Sequence, residues 1–121
     1  MPVKKILVVD DSPTERHVLT EALQKAGYRV VTATSGEQAI DVAKSELPDL
    51  ILMDVVMPGM NGYQATRTIT RDEATRDIPV IMCTSKGQET DKIWGIRQGA
   101  SDYLVKPIDA GALLAKIAAL G

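Results

Sequence analysis

The stretch Ile6-Leu7-Val8-Val9-Asp10-Asp11-Ser12-Pro13 runs four apolar residues straight into two adjacent carboxylates. Neighbouring like charges repel, and burial raises the cost of keeping both ionised. A third acid, Asp54, ends the apolar run Leu50–Met53. Two further apolar runs end in groups of complementary character, Thr84-Ser85 and Lys106-Pro107. Three carboxylates brought together are tolerable with a hard divalent cation, and Mg²⁺ (or Mn²⁺) takes oxygen ligands of this kind while keeping some waters. A hydroxyl, an ammonium and a metal around one carboxylate make a site for a phosphoryl group. The chain has no P-loop glycine pattern, and its single histidine, His17, falls inside a helical stretch without a Ser-His-Asp or Cys-His constellation. The chemistry left is covalent: an aspartate nucleophile giving an aspartyl phosphate.

These residues matter only if the fold brings them to one place. The 121 residues are enough for one domain, and 45% of them are hydrophobic. Phenylalanine is absent, so the core is aliphatic. Apolar runs at Ile6–Val9, Val30–Ala33, Leu50–Met53, Val80–Cys83 and Tyr103–Val105 alternate with longer helical stretches. That alternation predicts βαβ units and a parallel sheet. Three runs are apolar at every position, as in strands covered on both faces. The second is short and flanked by Arg29, which puts it at an edge. Right-handed crossovers then lead to a doubly wound, flavodoxin-like (βα)5 sandwich with strand order 2-1-3-4-5. Ligands in such sheets sit at the carboxyl ends of the strands where the winding direction switches, here between strands 1 and 3.

Helix signals agree with this plan. Ser12 caps the first helix, Pro13 suits its first turn, and Glu15 completes a capping box. Ser35 with Gln38 forms a second such pair, Asn61 caps the third helix, and Asp109 the last. Gly27 and Gly99 mark helix ends, and Pro48 stops the second helix. Cys83 lies inside the run VIMC and reads as a small buried hydrophobe. A net charge of −2 without a basic cluster argues against nucleic acid. No apolar stretch approaches a signal sequence or a membrane span, so a cytoplasmic protein is expected.

In combination and order, VVDD (Val8–Asp11), LMDVVMPGMNG (Leu52–Gly62), CTS (Cys83–Ser85) and YLVKP (Tyr103–Pro107) resemble the receiver domains of two-component response regulators, the CheY-like family. The resemblance covers nearly the whole chain and implies a single receiver over residues 1–121 with no output domain. It implies that Asp54 accepts a phosphoryl group from a CheA-like histidine kinase. It implies that Asp10, Asp11, Asp54 and the backbone carbonyl of Val56 hold Mg²⁺, with Asp11 and Asp54 the direct carboxylate ligands and Asp10 acting partly through water. Thr84 and Lys106 would contact the phosphoryl oxygens, and the Lys106–Pro107 bond would be cis, which proline permits. Thr84 and Tyr103 would form the switch, remodelling the face of the fourth helix, fifth strand and fifth helix, where Lys92, Ile96 and Tyr103 meet a downstream protein. Helical spacing allows two inward faces, so Trp94 either packs in the core or meets a partner; the family's layout turns it toward the core. Such a protein catalyses only its own phosphorylation and dephosphorylation.

The segments DSPTE, VMPGMNGYQATR and TSKGQETDKIWGIRQGASDYLVKP are also similar to standalone receivers of chemosensory systems that govern type IV pilus twitching motility. Val56 departs from the polar residue that many receivers carry two positions after the phosphoacceptor, so a dephosphorylation rate does not carry over. Other readings use the same residues: a phosphate sink or relay shuttle with no effector, an aspartate-nucleophile phosphatase, or a flavin binder. The phosphatase class usually carries a DxDxT-type spacing where this chain has DDSP, and a carboxylate trio repels a flavin phosphate.

Overall fold

The computed structural model describes residues 3–85 and 96–120. The aliphatic runs form β1 (Lys5–Val9), β2 (Arg29–Ala33), β3 (Leu50–Asp54), β4 (Val80–Thr84) and β5 (Asp102–Val105). They are parallel neighbours in the order β2-β1-β3-β4-β5, as the sequence predicts. The strands β3 and β4, apolar up to their last residues Asp54 and Thr84, are buried throughout, and β2 lies at an edge. Helices α1 (Pro13–Lys25), α2 (Gly36–Glu46), α3 (Gly62–Arg71) and the C-terminal α4 (Ala110–Leu120) cover the sheet. The expected helix between β4 and β5, with Lys92 and Trp94, falls largely outside the described residues.

Successive side chains of a strand point to opposite faces, and the core divides accordingly. Ile6, Val8, Leu50, Leu52, Ile81, Cys83 and Leu104 pack with Leu19 and Leu23 of α1 and Leu113 and Ile117 of α4. Leu7, Val9, Ile51, Met53, Val80 and Met82 pack with Ala39 and Ala43 of α2 and Ala65 and Ile69 of α3. Each fully buried aliphatic side chain contributes about 1.5–3 kcal/mol of transfer free energy. A one-residue slip of β3 or β4 would exchange its two apolar sets and carry Asp54 or Thr84 to the other face of the sheet. Cys83 is buried among them, and burial pushes its thiol up to about 12, as a packing residue requires.

Ser12, Ser35 and Asn61 cap α1, α2 and α3 through side-chain oxygens, and Asp109 accepts from the Ala112 N–H at the start of α4. Only α3, among these, closes a reciprocal capping box, with Gln64 reaching back to the Asn61 N–H. The boxes expected at α1 and α2 are each half made. Gln38 turns instead to the Thr34 N–H and hydroxyl, and Glu15 is drawn elsewhere. Leu47 rather than a glycine takes the left-handed position that ends α2 ahead of Pro48. Gly99, with φ +104°, closes the turn before β5 and donates its N–H to Ile96. No helix among the described residues is long and apolar enough to cross a membrane.

Candidate phosphoryl site at the carboxyl edge

The site stands at the carboxyl ends of β1, β3, β4 and β5, and strand alternation decides which side chains enter it. Asp10 follows Ile6 and Val8, Asp54 follows Leu50 and Leu52, and Lys106 follows Leu104, so all three continue the face covered by α1 and α4. The Asp10 N–H donates to Ala33 O at 3.2 Å, carrying the β1–β2 ladder one residue past the strand. The Lys106 N–H donates to Thr84 O at 2.7 Å and does the same for β5. The Lys106–Pro107 peptide is cis.

Lys106 is the hub. Its Nζ lies 2.9 Å from Asp54 Oδ1, 3.2 Å from Asp10 Oδ2 and 2.6 Å from Glu15 Oε2. Asp10 also accepts the Ser12 N–H on Oδ1, and its carbonyl accepts from Arg16 Nη1. Asp10 and Asp54 are almost wholly buried, at 1% and 6% exposure. Burial pushes Asp10 up to about 6, against the pull of the Ser12 hydrogen bond. Burial also raises Asp54, aided by the charges of Asp11 and Glu15 and opposed by Lys106. For Lys106 burial favours discharge, but the hydrogen bonds to Glu15 and Asp54 outweigh it and hold the ammonium above its ordinary value. The hydrogen bond from Lys106 keeps Glu15 below the usual carboxylate range.

Carboxylate oxygens of Asp10, Glu15 and Asp54 come within 4.8 Å of one another. The two buried acids of this group, Asp10 and Asp54, with raised pKa values, supply hard oxygen donors that fit a divalent cation, while Glu15 is engaged by Lys106. Asp11 stands outside this cluster: it is exposed and acts on Asp54 through its charge. Glu15 enters in its place. Sequence reading gave Glu15 to the α1 capping box, and the structure corrects that role. Its backbone N–H does bond Ser12 Oγ at 3.3 Å, but the Ser12 N–H that a box would need belongs to Asp10. The carboxylate is therefore free to answer the stronger demand of Lys106. A signal was present: Glu15 sits in the first turn of α1, and helical side chains lean toward the N-terminus, here over the strand ends.

Thr84 is buried at the end of β4 on the opposite face, with Met82 and Tyr103. Met82 pairs with Tyr103 and Thr84 with Val105, so Thr84 and Tyr103 are diagonal neighbours on one side of the sheet. Val56 lies in the turn after β3 with its side chain 65% exposed, and Ile96 is 45% exposed. Two contacts hold that turn. Glu37 of α2 accepts the Met60 N–H at 3.2 Å, and Gly62 donates its N–H to Val55 O at 2.9 Å. Gly62 packs so closely under the Asp54 carbonyl that a Cβ would collide with it. A cleft of about 170 Å³ opens beside the cluster, lined by Asp10, Thr14, Glu15, Lys106, Pro107 and Ile108.

The chain is similar to known proteins. The family model described as "Response regulator receiver domain" matches residues 6–118. Protein PilH of Pseudomonas aeruginosa is 55% identical over 116 residues, covering 96% of each chain. Several other curated relatives are longer, and the chain covers 51%, 45% and 48% of three of them. The chemotaxis protein CheY4 of Vibrio cholerae superposes with a TM-score of 0.89 at 34% identity, over 95% of this chain and 96% of that one. The receiver domain of the sensor histidine kinase PA1611 of P. aeruginosa, whose structure has a magnesium ion coordinated in its active-site cleft, gives a TM-score of 0.88 at 35% identity, over 95% and 94%.

Proposed function

This chain belongs to the response regulator receiver domain family, and from that premise we propose that it is switched by phosphorylation of Asp54, with a histidine kinase as the donor. The observation that carries the reading is the placement of the Asp54 carboxylate, buried at the end of the central strand, 2.9 Å from the Lys106 ammonium and beside Asp10. An Asp54 oxygen attacks phosphorus and forms an O–P bond. The bond from phosphorus to the donor's imidazole nitrogen breaks, and that nitrogen keeps the electron pair. Lys106 meets the charge on the phosphoryl oxygens, and Thr84 at the neighbouring strand end supplies a hydroxyl. Asp10, Asp11 and Asp54, with the Val56 carbonyl, would hold Mg²⁺, and Glu15 stands within the same acidic group. When bound, Mg²⁺ neutralises charge on the acids and the incoming phosphoryl oxygens.

The new charge then biases a two-state element, and Thr84 with Tyr103 is the pair placed to respond. Ile96 and Tyr103 belong to the surface read by a downstream protein; Lys92, assigned to it from the sequence, lies outside the described residues. The likeness to PilH supports a place in a pilus-linked chemosensory pathway, with a CheA-like kinase upstream and the cytoplasm as the compartment. Residues 6–118 form one receiver domain, which catalyses only its own phosphorylation and dephosphorylation. Incubation with Mg²⁺ and acetyl phosphate should add one phosphoryl mass to the wild type and none to Asp54→Asn. Absence of the adduct in the wild type, with Mg²⁺ and donor in excess, rejects the reading. Phosphotransfer from a panel of purified histidine kinases then identifies the donor.

A further inference from the structure

We propose that Glu15 is a positioning residue for this reaction: an anionic latch that holds the Lys106 ammonium and must release it before Lys106 can bind a phosphoryl oxygen. The inference rests on the phosphoacceptor reading of Asp54. An ammonium has three donors, and Lys106 Nζ faces three carboxylates, those of Asp10, Asp54 and Glu15. The shortest contact, 2.6 Å, goes to Glu15.

The three acids are not equivalent. Asp10 and Asp54 are anchored at buried strand ends, whereas the Glu15 side chain is 47% exposed and reaches in from the first turn of α1. Glu15 is thus the partner that Lys106 can exchange at least cost. Its carboxylate also lines the mouth of the cleft beside the site, where a phosphodonor's anionic oxygens meet it as a like charge. The latch is separate from the helix cap: Ser12 Oγ takes the Glu15 backbone N–H, and the Ser12 N–H goes to Asp10. Replacing the carboxylate therefore leaves both cap bonds in place. The lowered pKa of Glu15, caused first by its hydrogen bond from Lys106, agrees with a carboxylate held ionised against the ammonium.

The test compares wild type with Glu15→Gln and Glu15→Asp at saturating Mg²⁺. Beryllofluoride affinity is read by fluorine NMR, the acetyl phosphate rate by mass spectrometry, and Mg²⁺ affinity by calorimetry. Glu15→Gln should bind beryllofluoride and take up phosphoryl about fivefold faster or tighter, the scale of one partly exposed ion pair. Its Mg²⁺ affinity should stay within about threefold of wild type. Glu15→Asp keeps the charge but draws it back by one methylene, and should fall between the two. Unchanged or weaker beryllofluoride binding in Glu15→Gln overturns the latch, as does Glu15→Asp behaving as wild type. A tenfold or larger loss of Mg²⁺ affinity overturns it too, because Glu15 would then be a metal ligand. If the wild type binds no beryllofluoride and gains no phosphoryl mass, the reading of Asp54 itself fails, and the latch with it.

Discussion

Strand β3 is bracketed by two aspartates with opposite fates. Asp49, before its first residue, accepts the N–H groups of Lys4 and Lys5 at 2.9 Å each. Those bonds hold its carboxyl below the ordinary range. Asp54, five residues on at the other end, is buried and held above that range despite Lys106. The same side chain serves structure at one end and chemistry at the other. The difference lies in what the strand ends offer. At the amino end backbone N–H groups point outward and satisfy an acid at once. At the carboxyl end of β3 the next N–H, that of Val55, is spent on Cys83 O, so Asp54 depends on side chains, a cation or a phosphoryl group.

Breaking the chemical end should have the largest effect. Asp54→Asn should abolish phosphoryl uptake altogether, while Asp49→Ala leaves uptake at the wild-type rate; mass spectrometry with acetyl phosphate reads both. Next, Lys106→Met strips the only ammonium among the described residues from Asp10 and Asp54. Urea unfolding without divalent cation should show a loss of about 2 kcal/mol, below the figure for a fully buried pair because water reaches the site. Excess Mg²⁺ should return most of it.

Acidity separates the two ends further. Asp10 is raised to about 6, so protons compete with a divalent cation there. Mg²⁺ affinity should fall about tenfold per pH unit below about 6, as calorimetry between pH 5 and 7.5 would show. Asp49 behaves in the opposite sense. Its folded pKa is depressed, so its stabilisation is complete above its unfolded value near 4 and is lost as pH falls through the folded one. The smallest effect is that of Asp49→Ala on stability, about 1 kcal/mol by urea unfolding after discounting two charge-assisted bonds for exposure. Equal pH responses from Asp49→Ala and wild type between pH 5 and 3 would erase the contrast.

The sheet could be read from the sequence because its strands announce themselves. Leu50–Met53 and Val80–Cys83 are apolar at every position, the pattern of parallel strands covered on both faces, and their shortness with helical stretches between them favours strands over buried helices. Ser12, Ser35, Asn61 and Asp109 cap their helices because a short polar side chain before a helix has few better uses. The strand-end site followed from the strand order. What escaped was the division of labour among neighbouring acids. Asp10 and Asp11 are adjacent and chemically alike, yet one is buried and the other exposed. Strand parity separates them, since Asp10 follows Ile6 and Val8 on the face of α1 and α4. Glu15 escaped because its sequence neighbourhood satisfies a local rule, the capping box, and a contact 91 residues away outcompetes that rule.

Asp54 and Lys106 grip each other from strands of unequal security. β3 is clasped on both sides, by β1 and β4, and Gly62 is wedged beneath its last carbonyl. β5 has a single neighbour. Under the proposed phosphorylation, a group attached to Asp54 that drew on the ammonium would meet a fixed middle of the sheet and a less constrained outermost ribbon, so displacement would pass sideways, to the rim that carries Tyr103.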